Sequence, residues 1–175
     1  VESLPAQRER LLDACSELAI EVRTAADAAE RARLWRGRKE AVGAVGKLAP
    51  NYYIQDGCLP RSRLPELLPE VVRIAEREGL RVANVFHAGD GNLHVNLLRD
   101  ELSAERWQEV LAQAGPAIVS RIVSLGGTIS GEHGIGLIQK DLLPLQLGSA
   151  ELDLMRGIKQ VFDPLGILNP GKVLP

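Results

Sequence analysis

The chain has 175 residues, 45% of them hydrophobic and 25% charged, with a formal net charge of −2 from 21 basic and 23 acidic side chains; this is the composition of a globular chain, not of a disordered or fibrous one. The two signs are interspersed, which leaves no basic stripe for nucleic acid, and no apolar run approaches the roughly 20 residues of a membrane span. The opening VESLPAQRER lacks the pattern of a secretion signal, so the expectation is a cytoplasmic chain forming one domain over residues 1–175. The missing initiator Met and the start just before a helix point to a piece cut at its N-terminus from a longer protein.

Leu4 to Leu18 places apolar residues at Leu11, Leu12, Cys15 and Leu18 with Pro5 in the first turn, which predicts a helix. Ala19 to Thr24 alternates as a short strand would. Ala25 to Val45, rich in Ala, Glu and Arg, predicts a second helix ending near Gly46 and Pro50. Tyr52 to Leu59 has strand composition and stops at Pro60; Arg63 to Gly79 repeats apolar residues at helical spacing. Arg81 to His87 and Leu93 to Leu98 read as a hairpin, Ser103 to Ser124 as a helix capped by Ser103, the stretch to Gly136 as a glycine-rich loop, and Ser149 to Phe162 as a last helix.

A tight hairpin forces an antiparallel pair, so this order predicts an α+β fold: an antiparallel, ferredoxin-like sheet with helices packed on one face plus C-terminal helices. A chain cut at its N-terminus would also leave a sheet edge open to a homodimer partner or a replacement strand. Cys15 and Cys58 stand alone, without metal-ligand spacing, and read as small apolar residues.

The chain has only three histidines. Two lie in Phe86 to Asn96, FHAGDGNLHVN. An Asp-Gly pair favours a type I′ turn; with Asp90 and Gly91 at its tip, His87 faces His94 across the ladder and Asn96 shares their side of the sheet. Opposed residues have Cβ atoms about 4.5–5.5 Å apart, close enough for two imidazoles to share a metal ion. A pair of surface or core histidines holding nothing is the competing reading. The third histidine lies in Gly126 to Gly136, GGTISGEHGIG, where Glu132 and His133 sit side by side among five glycines. A carboxylate beside an imidazole can supply a further metal ligand and a general base; a solvated pair on a glycine turn is the alternative. LWRGRKEA, with Arg36, Arg38 and Lys39, fits a solvated helix face, and LNPGK, with Asn169 and Gly171, says only that the chain turns.

Taken together, FHAGDGNLHVN, GGTISGEHGIG, LWRGRKEA and LNPGK resemble the C-terminal, substrate-side domain of FAD-linked oxidases of the vanillyl-alcohol oxidase type, nearest the branch of the glycolate oxidase flavoprotein and the D-lactate dehydrogenases. The resemblance runs from about Ala28 to the C-terminus. It implies oxidation of a D-2-hydroxy acid to the 2-oxo acid with hydride transfer to FAD, the FAD being bound mainly by a separate N-terminal domain. It also implies that His87, His94 and Glu132 hold a divalent metal, zinc or manganese. In the same pattern His133 is the base that takes the hydroxyl proton, Arg38 pairs with the substrate carboxylate, Asn96 hydrogen-bonds substrate or metal-bound oxygen, and Asn169 lies near the flavin. Other oxidase subunits become possible partners.

Relatives acting on a dicarboxylate carry a basic residue where this chain has Tyr52, Tyr53 and Ile54, which favours a short monocarboxylate such as glycolate or lactate. No GxGxxG occurs, so the fragment alone is expected to be inactive. A stand-alone metal-binding or oligomerisation module is the alternative reading; a metallohydrolase has the right ligand types but lacks an HExxH arrangement.

Overall fold

The structure, a computed structural model, describes residues 3–175. Among these residues are five α-helices and one three-stranded sheet, and the chain divides into two compact units, Val1–Ala41 and Val42–Pro175.

In the first unit, α1 (Leu4–Ser16) is capped by Ser3, whose hydroxyl accepts from the Ala6 N–H, and carries Pro5 in its first turn. The strand expected over 19–24 does not form; those residues adopt neither helix nor strand, since an alternating stretch needs a neighbouring strand to complete its hydrogen bonds. α2 (Ala28–Leu48) starts three residues later than expected because Asp27 caps it: the Asp27 carboxylate accepts from the Glu30 N–H at 2.7 Å, and Glu30 reaches back to the Ala26 N–H at 2.8 Å. Its final turns, from Val42, belong to the second unit.

The second unit is built on β1 (Tyr52–Cys58), β2 (Arg81–His87) and β3 (Asn92–Leu98), antiparallel throughout in the order β1-β3-β2. The α+β class is therefore as expected. α3 (Leu64–Arg77) buries Leu64, Leu67, Val71 and Ala75, spaced three, four and four apart, and is stopped at Gly79 with φ +72°. α4 (Ala104–Ser124) is capped by Ser103. Both pack on the face of the sheet that carries Leu93, Val95 and Leu97.

The opposite face is divided. At one end Leu98 packs with Val45 and Ala49 at the close of α2, so helical structure touches both faces and not only one as expected. At the other end Asp56, Asn92, His94 and Asn96 are buried polar residues. Beyond β1, Cys58 and Thr128 form an antiparallel bridge, and the Gly131 N–H donates to the Asp56 carbonyl at 2.8 Å, so the glycine-rich segment lies along that edge. A 3-10 turn at Lys140–Leu145, absent from the sequence reading, and α5 (Ser149–Phe162) close a second cluster around Val119, Ile129, Leu143 and Leu152.

The hairpin register differs from the expected one. His87 pairs with Asn92 and Val85 with His94, and residues 88–91 form a four-residue loop in which the Asp90 and Gly91 N–H groups both donate to the His87 carbonyl. A type I′ turn needs positive φ at both central residues, but of that pair only Gly91 has it, at +76°. A tertiary contact decides the matter: the Leu59 N–H donates to the Gly91 carbonyl at 3.0 Å, and a Cβ on Gly91 would lie 2.0 Å from the Leu59 oxygen. The slip is two positions, so the parity of the strand survives and His87, His94 and Asn96 still share a face.

Candidate functional site

The site lies where the hairpin end of the sheet meets the glycine-rich segment. His94 comes from the central strand and is only 8% exposed, while His87 ends β2 and is half exposed. Glu132 and His133 are delivered from the loop. The Nε2 atoms of all three imidazoles converge on one oxygen, Glu132 Oε1, at 3.1 Å for His94, 3.8 Å for His133 and 3.9 Å for His87. The His94 and His133 rings are stacked with centroids 5.0 Å apart, and the His87 ring meets His94 edge-on at 5.5 Å.

Beneath this cluster is a residue that the sequence reading treated only as part of a strand. Asp56 is fully buried on β1, opposite His94. Its Oδ2 accepts from Ser130 Oγ at 2.8 Å and from the backbone N–H groups of Gly131, Glu132 and His133 at 3.0, 2.8 and 2.6 Å; its Oδ1 accepts from Asn92 Nδ2 at 2.7 Å. Burial pushes the Asp56 carboxyl up, but the donors from His133, Asn92, Glu132 and Ser130 outweigh it and hold it at about 2. His94 is shifted down, first by burial, against the opposing pull of Asp56 and Glu132. The one signal for Asp56 in the sequence was an acid inside a strand, a place where acids are depleted.

Gly131 makes the close approach possible, since a Cβ there would stand 2.1 Å from Asn92 Nδ2. Two cavities flank the cluster. One of about 260 Å³ is lined by His87, Asn92 and Glu132; the other, of about 400 Å³, runs from His133 past the start of β1 at Tyr52, Tyr53 and Ile54.

The structure thus brings together His87, His94, Glu132 and His133. Asn96 lies on the same face, but its side-chain amide donates to the carbonyls of Ala83 and His94, leaving its Oδ1 for any ligand. Asn169 stands on the C-terminal turn with φ +46°, accepts from Lys172 and lines a different cavity with Phe162 and Leu168. Arg38 is exposed on α2 in the first unit.

The donor set suits a divalent cation: imidazole nitrogens and a carboxylate are borderline ligands of the type zinc and manganese accept. Asp56, His94, Glu132 and His133 each offer a ligand atom within 4.8 Å of the others. Several imidazoles meeting a carboxylate on one side of a sheet, beside a glycine-rich loop, define a candidate metal centre.

Comparison with known proteins places the chain in a family. The family described as FAD linked oxidases, C-terminal domain, matches residues 2–173, further toward the N-terminus than the motifs alone indicated, and the chain belongs to it. The glycolate oxidase subunit GlcD of Escherichia coli is 45% identical over 157 residues, covering 90% of this chain and 31% of that protein. The mitochondrial D-lactate dehydrogenase (cytochrome) of Arabidopsis thaliana is 37% identical over 144 residues, covering 81% of this chain and 25% of the relative. A D-2-hydroxyglutarate dehydrogenase of Xanthomonas citri is 36% identical over 148 residues, 83% of this chain and 31% of the relative. The chain therefore spans about a third or less of the length of these relatives.

Proposed function

We propose that this chain is the substrate- and metal-binding part of a flavin-dependent D-2-hydroxy-acid dehydrogenase, acting on a short monocarboxylate such as glycolate or lactate. The observation that carries the reading is the meeting of three imidazole Nε2 atoms within 3.1–3.9 Å of one Glu132 oxygen. The names of the relatives supply the reaction class.

In this reading His87, His94 and Glu132 hold a divalent metal, zinc or manganese, which when bound would supply Lewis acidity to a substrate hydroxyl. FAD, bound by an N-terminal domain of the parent protein, would supply the hydride acceptor. His133 takes the hydroxyl proton at Nε2 as the hydrogen of the α-carbon leaves as a hydride, which converts the hydroxy acid to the 2-oxo acid. The His94 imidazole, its proton affinity lowered by burial, stays neutral and so available as a ligand near neutral pH. Arg38 pairs with the substrate carboxylate through its planar fork, Asn96 offers its oxygen to substrate, and Asn169 lies by the flavin. The absence of a cationic side chain among Tyr52, Tyr53, Ile54 and the loop lining of the 400 Å³ cavity favours a substrate with one carboxylate.

The test is His133→Ala in the intact protein. Stopped-flow flavin reduction by glycolate or D-lactate is expected to slow by about 10²–10⁴-fold, with metal content and fold unchanged. Reduction at the wild-type rate removes His133 from the base role.

A further inference from the structure

By residue type and distance Asp56 belongs among the possible ligands of the centre, since its carboxylate lies within 4.8 Å of the ligand atoms of His94, Glu132 and His133. Its hydrogen bonds oppose that use. Oδ2 accepts from four donors, Ser130 Oγ and three consecutive backbone N–H groups, the Gly131 N–H being shared with the Asp56 carbonyl, while Oδ1 accepts from Asn92 Nδ2 and faces His94 Nδ1. We infer that Asp56 is a positioning residue that clamps the Ser130–His133 loop onto the sheet and thereby sets Glu132 and His133 against His94 and His87. This rests on the proposed metal centre for its consequence, although the clamp is a property of the chain by itself.

The geometry is specific. The three N–H groups that meet Asp56 Oδ2 belong to Gly131, Glu132 and His133, so the two residues whose side chains reach the imidazole cluster are held by their own backbones. Such a run of successive N–H groups makes a concave anion site, and here a buried side chain of the same chain fills it. The loop is locked a second time through Ser130, which donates to Asp56 and accepts from the Gly134 N–H at 2.7 Å. On the sheet side, Asp56 Oδ1 stands 3.5 Å from His94 Nδ1, a buried nitrogen without a hydrogen-bond partner of its own. That carboxylate therefore faces the far side of the imidazole whose Nε2 points into the cluster, the placement by which an outer carboxylate orients a ligating histidine.

The conservative variant separates the roles. In Asp56→Asn the side-chain carbonyl can still accept from the loop, and the new amide can donate to Asn92 Oδ1, which has no partner in the present arrangement, after the Asn92 amide turns over. Asp56→Ala removes every acceptor. Two measurements on the intact protein and both variants decide: hydrogen exchange of peptides spanning 128–136 in the metal-free state, and zinc affinity by competition with a chelating dye.

The clamp requires that Asp56→Ala speed exchange in 128–136 while peptides of α3 and α4 keep their protection, and that zinc affinity fall by about 10–100-fold. Asp56→Asn is expected to restore loop protection most of the way and zinc affinity only in part, because its amide nitrogen cannot accept from His94 Nδ1 as the carboxylate oxygen does. Unchanged loop exchange in Asp56→Ala overturns the clamp. Equal loss of zinc in both variants, with the loop still protected in Asp56→Asn, makes Asp56 a ligand and overturns the inference as well. Failure of the wild-type protein to bind zinc or manganese overturns the metal reading instead, and the exchange data still judge the clamp. Should Asp56→Ala not fold, Asp56→Asn and Ser130→Ala carry the test, the latter expected to loosen the same peptides and to lower zinc affinity in the same direction; neither change in Ser130→Ala counts against the clamp.

Discussion

At the level of single residues, the histidines and Glu132 were legible because their types are rare or chemically pointed and their glycine-rich surroundings unusual. Asp56 was not, because its importance lies in what reaches it: its partners are 36 to 77 positions away, and most of them are backbone N–H groups that no side-chain pattern announces. Its acid response follows from those donors. The folded-state value of about 2 lies below the ordinary 3.8, so the unfolded chain binds the proton first; the associated stability is present above about pH 4 and is lost as the pH falls toward 2, on the order of 2 kcal/mol. Asp56→Asn is expected to flatten that part of an acid-denaturation curve followed by circular dichroism. His94 has the same sign at a higher pH: its folded value lies below 6.5, so the metal-free protein should begin to lose stability as the pH drops below 6.5. Arg38→Lys is expected to raise the KM for the hydroxy acid, since an ammonium cannot make the two-oxygen contact; an unchanged KM means that the carboxylate is held elsewhere.

At the level of elements, β2, α4 and α5 lie within one residue of their expected bounds because their periodicity agrees with their caps. Two elements went otherwise. The 19–24 strand failed for want of a pairing partner, and the hairpin turn was decided by Leu59, which lies far from the local Asp-Gly signal. Glycine is required where chain segments touch: Gly91→Ala should destabilise the fold by about 1–3 kcal/mol, seen as a lower urea midpoint, because it adds a Cβ at positive φ against the Leu59 oxygen. In the helical layer, Leu67 is fully buried on α3, so Leu67→Ala should cost about 2–5 kcal/mol in the same assay without altering metal stoichiometry.

For the molecule as a whole, the sheet separates two tasks. One face is closed by α3 and α4 and carries the main core; the other presents a polar end on which the glycine loop is pinned. A rigid central strand places His94, an adjacent strand end places His87, and a clamped loop brings the remaining groups, which is how a site of several ligands can be held in register by elements distant in sequence. The α+β class and the family were legible in the motifs, and the second-face packing at Val45 and Ala49 was not, since a helix rich in Ala, Glu and Arg shows no strong apolar stripe to foretell it. The relatives are about three to four times as long as the segment they share with this chain.

The imidazole cluster and Glu132 are proposed to hold a metal. Metal content of the intact protein, purified without chelators and analysed by plasma mass spectrometry beside His87→Ala/His94→Ala, tests it most directly. About one zinc or manganese per chain is expected in the wild type, and loss of that metal in the double variant. A wild-type protein without metal, or a double variant that keeps it, contradicts the assignment.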